Sequence, residues 1–241
     1  MKLISIYTPS HQILKDHWFL PSIQDDFEIS IDRCEVSGKG RYMEKDWTEA
    51  VLFKSHTILD TIKRNWGMIF IYADVDIQFF APMQDEILQS MENKDIVCQL
   101  DDPHGNLCTG FFAVRANELT LQLWQEVHKA THIEHRDQHA FNRLVREMKA
   151  IRFGYLPTQF FGAGTFNAKI WYLGQRFYIL NFPIMFHANW TIGVDNKIAL
   201  LQQARKIISK GAVAIALNNA RMYCRYGMRG LRLAQALSRL A

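Results

Sequence analysis

Apolar residues fall along the chain in two rhythms, short continuous runs and longer stretches at helical spacing. Leu3-Ile4-Ser5-Ile6-Tyr7 is a short apolar run closed by Thr8-Pro9-Ser10, which reads as a buried first strand passing into a loop. Phe27 to Cys34 alternates Phe27, Ile29 and Ile31 with Glu28, Ser30 and Asp32, the period of two that predicts a strand with one buried face. Gly38-Lys39-Gly40 breaks it. From Trp47 to Asn65, residues Ala50, Val51, Phe53, Ile58, Leu59 and Ile62 recur at helical spacing, with Asp46 placed to cap the start. After Gly67, Met68-Ile69-Phe70-Ile71-Tyr72-Ala73 is apolar throughout and predicts a central strand covered on both faces. Ile96-Val97-Cys98 and Gly110-Phe111-Phe112-Ala113-Val114 read as further strands, and Asn117 to Ala130 and Asp137 to Met148 as helices. Alternating strands and helices predict a layered α/β fold, with functional residues in loops beyond the strand ends.

Length and composition fit that reading. A chain of 241 residues, 49% hydrophobic with only 6 Pro, has enough apolar side chain for one sizeable core and no segment polar enough to stay unfolded. Charge is uneven. Nine of the 28 basic side chains follow Asp195, after which no acidic residue occurs, so residues 1–195 carry 24 acidic side chains against 19 basic. Cys34, Cys98, Cys108 and Cys224 form no Cys-x-x-Cys pair, so reduced structural thiols are expected. The start of the chain falls short of a secretory signal, and no run approaches the roughly 20 apolar residues that span a bilayer. The expectation is a cytoplasmic protein, with peripheral association at the inner face of a membrane open to it.

The apolar run ending at Ala73 delivers the chain into Asp74-Val75-Asp76. In extended backbone, side chains two apart share a face, so both carboxylates could meet one point while Val75 faces the core. Two like charges this close raise each other's pKa unless a cation neutralises them. A hard divalent ion does so, and the rest of its shell suits phosphate oxygens and water. The alternative is a polar strand end with two solvated or helix-capping aspartates. Ile77-Gln78-Phe79-Phe80-Ala81-Pro82 follows, however, so the pair sits between apolar segments, where unpaired charge is hard to tolerate.

Here the sequence resembles the nucleotide-diphospho-sugar transferases of the GT-A fold, in particular the group containing the plant cell-wall xylosyl- and arabinosyltransferases of glycosyltransferase family 77. Phe53-Lys54 precedes the helix leading to the acidic strand, and Ile71-Tyr72-Ala73-Asp74-Val75-Asp76 looks like the family's Asp-x-Asp strand. Cys108-Thr109-Gly110-Phe111-Phe112 resembles its Asn-Thr-Gly-Phe element, and Arg136-Asp137-Gln138-His139-Ala140-Phe141-Asn142 its Asp-Gln-x-x-Phe-Asn segment. Phe186-His187-Ala188-Asn189-Trp190, followed by Gly193 and Lys197, looks like its His-Ala-Asn block. The motifs keep their order over roughly residues 3–200. Cys108 departs from the usual Asn, so a polar contact near the donor sugar does not carry over.

The resemblance implies a single GT-A, Rossmann-like domain over residues 1–200, with a mostly parallel central sheet flanked by helices; no family motif lies beyond about residue 200, where arginines and apolar residues on helical spacing predict a basic amphipathic helical tail over residues 201–241. The resemblance also implies a metal-dependent glycosyltransferase, retaining in stereochemistry, that moves a sugar from a nucleotide-sugar, a UDP-sugar by the family's habit, to a glycan or lipid-linked acceptor. By similarity Asp76 binds the metal, Asp74 the metal or the ribose, and His187 supplies an imidazole ligand that shifts preference toward Mn2+ over Mg2+. Lys197 faces the departing phosphate, where fixed positive charge stabilises developing negative charge. Gly193 lets the backbone approach the diphosphate. Tyr7, Thr8, Lys54 and Gly110 complete the donor-binding set. Asp137 orients sugar hydroxyls or acts as a base, and Gln138 lies near the anomeric carbon.

Bland readings stand beside these: Lys54 as a solvated helix lysine, Asp137 as an N-cap, His187 as a structural histidine. Two other functions also fit an Asp-x-Asp after an apolar strand. One is a phosphatase of the haloacid-dehalogenase type, although Gln78 stands where those enzymes carry Thr or Val. The other is a nucleotide-sugar binding protein without turnover. The basic tail predicts either a helix packed on the domain or an anionic membrane surface as partner. No nucleic-acid recognition motif accompanies it.

Overall fold

The computed structural model describes residues 1–36, 45–180 and 182–226. In chain order the elements are β1 (Lys2–Tyr7), a string of short helical turns over residues 9–22 that includes α1 (Gln12–Leu14), β2 (Glu28–Arg33), α2 (Lys45–Arg64), β3 (Ile69–Ala73) and β4 (Ile77–Phe79). There follow α3 (Gln84–Ser90), β5 (Ile96–Leu100), β6 (Leu107–Arg115), α4 (Glu118–Glu134), α5 (Asp137–Glu147), β7 (Phe153–Tyr155), β8 (Phe160–Gly162), β9 (Met185–His187), α6 (Val194–Ile208) and α7 (Ala212–Tyr226).

The main sheet runs in the order β2-β1-β3-β6-β5-β7. β1 pairs parallel with β2 and β3, β5 pairs parallel with β7, and only β6 runs against its neighbours, so the sheet is mostly parallel. The continuous apolar runs are its centre: Phe70, Ile71 and Tyr72 of β3 and Phe111, Phe112 and Ala113 of β6 are fully buried. Burial on both faces is what a run without polar alternation requires. One face packs on α2, α4 and α5 through Ile58, Ile62, Phe112, Trp124 and Phe141. The other face meets a small sheet, β4-β9-β8, and α6 through Phe111, Phe160, Phe186 and Leu200.

Local chemistry sets the ends of the helices. Asn117 caps α4, accepting from Thr120 N at 3.0 Å, while Thr120 Oγ1 accepts from Asn117 N at 3.1 Å, and His135 closes the helix in the left-handed region at φ 58°. Asn142 of α5 makes two 2.8 Å bonds to the backbone of Leu107, which ties that helix to the start of β6.

Three local expectations change. Asp46 lies inside the first turn of α2 rather than before it. β2 pairs with β1 alone and stands at the sheet edge, so Ile29 remains 40% exposed despite the period-two pattern. Asp74 and Asp76 do not sit on an extended strand: β3 ends at Ala73, and Val75-Asp76 form a turn into β4.

A division at residue 200 falls inside α6, whose Leu200, Leu201 and Ala204 are buried in the same core as Ile215 of α7. Arg205, one of the nine late cations, stacks its guanidinium 4.1 Å from the centroid of Trp18. α7 is held to the domain by Asn218, which donates to Phe177 O at 3.0 Å, and Asn219, which donates to Ile179 O at 2.7 Å. The rest of the expected tail, residues 227–241, lies outside the described residues. Among the described residues no helix is long and apolar enough to cross a membrane.

Candidate active site

The end of β3 positions the acidic pair. Asp74 N donates to Gly110 O at 2.7 Å, continuing the β3–β6 ladder one residue past the strand, and the Val75-Asp76 turn then brings the second carboxylate within 4.8 Å of the first. β9 brings in His187, paired with Ile77 across the small sheet, and Ala188 N donates to Asp76 O at 3.0 Å. One ligand atom from each of Asp74, Asp76 and His187 falls within 4.8 Å of the others. The convergence predicted from strand alternation is thus reached through a turn.

The cluster's protonation states follow from its neighbours. His187 Nδ1 lies 2.9 Å from Gln99 Oε1, which fixes the ring so that Nε2 faces Asp76 Oδ1 at 3.2 Å. Lys197 donates from α6 to Asp76 Oδ2 at 2.6 Å. Burial by itself lifts the pKa of Asp76, yet Lys197 and His187 outweigh it and hold this carboxyl well below its usual range. Asp74 goes the other way: burial and the charge of Asp76 lift it, against Lys54, His187 and a 2.8 Å bond from Tyr72 OH. The two aspartates are therefore unequal, one firmly ionised and one easier to protonate.

Gly110 makes the cluster sterically possible. A Cβ there would stand 2.4 Å from His187 Cε1 and 2.6 Å from Asp74 Oδ2, closer than atoms can approach. Two carboxylates and an imidazole, with one ligand atom from each within 4.8 Å of the others, fit a divalent ion by donor type.

A second buried pair lies beside the first. Lys54 forms an ion pair with Asp137, and both side chains are more than nine-tenths buried. Thr109 Oγ1 donates to Asp137 Oδ2 at 3.0 Å. Burial pulls the pKa of the Lys54 ammonium down, but Asp137 and Asp74 overcome it and the net shift is upward. Asp137 is the first residue of α5, and Arg136, not Asp137, occupies the cap position. Gln138 spends both ends of its amide on protein, accepting from Thr109 N at 3.1 Å and donating to Asp101 Oδ2 at 3.0 Å.

These groups open into one cavity of about 630 Å³. Tyr7, Thr8, Lys54, Asp74, Asp76, Gly110, Asp137, Gln138, His187, Gly193 and Lys197 all line it. Gly193 precedes α6 at φ 87°, a conformation only glycine adopts without strain, so the positive end of a 15-residue helix faces the cavity together with Lys197. Ile170, Trp190 and Ile192 form an apolar wall, with Trp171 and Thr191 bridged behind it.

A sequence profile of nucleotide-diphospho-sugar transferases matches residues 15–201, a span that contains the acidic pair, Asp137, His187 and Lys197. The chain belongs to the nucleotide-diphospho-sugar transferase family. The chain is 26% identical over 95 residues to an uncharacterized protein of Arabidopsis thaliana, a match covering 39% of this chain and 28% of that protein. Among solved structures it is similar to the apo form of glycosyltransferase GlyE from Streptococcus pneumoniae TIGR4, with a TM-score of 0.51 and 10% identity, covering 87% of this chain and 64% of that one. It is also similar to the apo bifunctional glycosyltransferase WbbM, with a TM-score of 0.50 and 11% identity, covering 88% of this chain and 51% of the other. The chain thus spans less than two thirds of the length of each of these proteins. At such identities the likeness is one of fold, and the fold is the GT-A arrangement.

Several residues of the candidate site carry no signal strong enough to single them out in the sequence. Asp101 is a buried hub, accepting from Gln138, from Asn189 Nδ2 at 2.9 Å and from Trp190 Nε1 at 3.0 Å. A signal for it existed, because β5 is a second apolar strand that ends in an acidic pair, Asp101-Asp102. Trp190, held by Asp101, adopts φ 54° and presses on Gly164, where a Cβ would stand 2.0 Å from its ring. Gln99 and Tyr72, which orient His187 and Asp74, carry no local signal. His11 also lines the cavity, 2.9 Å from Thr8 Oγ1, and its pKa is pushed down to about 4, first by burial and then by Lys197.

Proposed function

We propose that this transferase moves a sugar from a nucleotide-sugar to a hydroxyl acceptor in the 630 Å³ cavity, with Asp74, Asp76 and His187 as the ligands of a divalent ion. The observation that carries this reading is the three-residue cluster at the cavity, held open by Gly110 and flanked by Lys197 and the start of α6. A bound ion there supplies Lewis-acid charge that eases departure of a nucleoside diphosphate. Mn2+ is favoured by the imidazole, which suits it better than Mg2+.

The chain's own groups do the rest. Lys197 and the α6 N-terminus offer positive charge to the leaving phosphate from a fixed position. Tyr7 and Thr8, at the end of β1, bind the nucleotide side, where GT-A strands deliver the chain into the cavity. Lys54 serves the site indirectly: its charge is committed to Asp137, so it holds that side chain aligned for the hydroxyls of the donor sugar. Gln138 acts as a brace between Thr109 and Asp101. The apolar wall of Ile170, Trp190 and Ile192 suits the apolar face of an acceptor sugar or the chain of a lipid-linked one. Transfer with retention follows from the resemblance to family 77, and uridine as the base follows from the same source.

The family match leaves the phosphatase reading without support. Release of nucleoside diphosphate from a panel of nucleotide-sugars with Mn2+, by wild type and by Asp76→Asn, tests the proposal. Metal-dependent release that the variant loses supports it. Tight binding of donor with neither hydrolysis nor transfer would instead make the chain a nucleotide-sugar binding protein. Proton NMR of the glycoside decides the stereochemistry, and an inverted product would overturn retention.

A further inference from the structure

On the outer face where α2 packs against α4, away from the cavity, three histidines gather. His128 and His132 are one helical turn apart on α4, a spacing that puts both on one side of the helix. Their Nε2 atoms stand 3.4 Å apart, and the rings meet edge to face with centroids 4.9 Å apart. His56 of α2 lies alongside, its ring centroid 6.4 Å from that of His128. Its side chain is 63% exposed and makes a 3.7 Å contact with Asp60.

Hydrogen bonding fixes the tautomer of His128. Ser55 Oγ donates its single hydrogen to Leu52 O at 2.9 Å and lies 2.7 Å from His128 Nδ1. With that hydrogen committed, Ser55 accepts, so the ring proton is on Nδ1 and the Nε2 lone pair points at His132. A partner behind Nδ1 and a bare Nε2 in front is the arrangement that orients metal-binding imidazoles.

Distance separates two explanations of the His128–His132 contact. A hydrogen bond between ring nitrogens prefers about 2.9–3.0 Å. Two nitrogens at about 2.05 Å from a tetrahedral ion stand about 3.3 Å apart. The 3.4 Å separation matches the second spacing.

We propose that His128 and His132, with water completing the shell, form a surface site for a borderline transition metal, Zn2+ or the similarly imidazole-seeking Cu2+ and Ni2+. All-imidazole donors select these ions, whereas the carboxylate-rich cavity cluster favours harder ones.

Calorimetric titration of the full chain with Zn2+ tests this, with His132→Ala, Asp76→Asn and, as control, His104→Ala. His132 and His104 are exposed, so their removal leaves the fold intact. The expected result is a Zn2+ site that Asp76→Asn and His104→Ala retain and that His132→Ala weakens by at least about 10-fold. In a second measurement, Cu2+ bound at this site shows nitrogen coupling from at least two imidazoles in its electron paramagnetic resonance spectrum, and His132→Ala removes it. Equal Zn2+ affinity and stoichiometry in wild type and His132→Ala would overturn the proposal, as would a Cu2+ spectrum unchanged by that variant.

Discussion

Replacing Gly110 with alanine adds one methyl group to a fully buried strand, and its consequences can be worked out atom by atom. The new Cβ would lie 2.4 Å from His187 Cε1 and 2.6 Å from Asp74 Oδ2, where ordinary contact begins at 3.4 Å. Both ligands must therefore retreat by about 0.8–1.0 Å, several times the ~0.2 Å tolerance of a metal–ligand distance. Neither can do so freely, because His187 is held at Nδ1 by Gln99 and Asp74 by Tyr72. We expect Gly110→Ala to cost about 1–3 kcal/mol through overpacking and to weaken Mn2+ binding by at least 10- to 100-fold. Mn2+ affinity from the loss of the free-ion electron paramagnetic resonance signal, with urea unfolding in parallel, separates the two effects. Gly154→Ala is the control: its Cβ meets only the flexible end of Lys94, at 2.4 Å from Cε, so both quantities should stay near wild type. A folded Gly110→Ala protein with wild-type Mn2+ affinity would refute the assignment of Asp74 and His187 as ligands.

Other substitutions probe neighbouring parts of the site. Lys54→Met leaves Asp137 buried without its counter-charge and should cost about 3–5 kcal/mol in urea unfolding; a loss under 1 kcal/mol would contradict a buried pair. Asp101→Ala strips partners from Gln138, Asn189 and Trp190 at once, and should lower both stability and donor turnover while leaving the Mn2+ ligands in place. With a folded-state pKa near 4 against an ordinary 6.5, His11 refuses a proton that the unfolded chain accepts. Stability should therefore be unaffected by this residue above pH 6.5 and fall as pH drops toward 4, by at most about 3 kcal/mol. An NMR titration midpoint for His11 near 6.5 would contradict its burial.

The sequence disclosed the parts whose causes are local. A run such as Met68 to Ala73 has no polar face to expose, so it marked the centre of the sheet, and the acidic residues after it marked a strand end facing the cavity. What stayed hidden depends on distant partners. Gln99 reaches His187 across 88 residues, and Asp101 gathers Asn189 and Trp190 from as far away. The strands β4, β8 and β9 are three residues each, too short to carry a period, yet they form the sheet that places His187. β2 misled in the other direction, since its alternation is real but its edge position leaves one side in solvent. Nothing near Lys54 distinguishes a phosphate contact or a solvated lysine from a buried ion pair, because its partner, Asp137, lies 83 residues further on.

Thermal stability of wild type and Asp76→Asn, measured against nucleoside diphosphates with and without Mn2+, tests the central claim most directly, because a ligand of the native state must raise the melting temperature. The account predicts a Mn2+-dependent rise with one nucleoside diphosphate, largest for the uridine form, that vanishes in Asp76→Asn. A rise of equal size without metal, or one that Asp76→Asn retains, would contradict the assignment of Asp74, Asp76 and His187 to a metal that holds the donor.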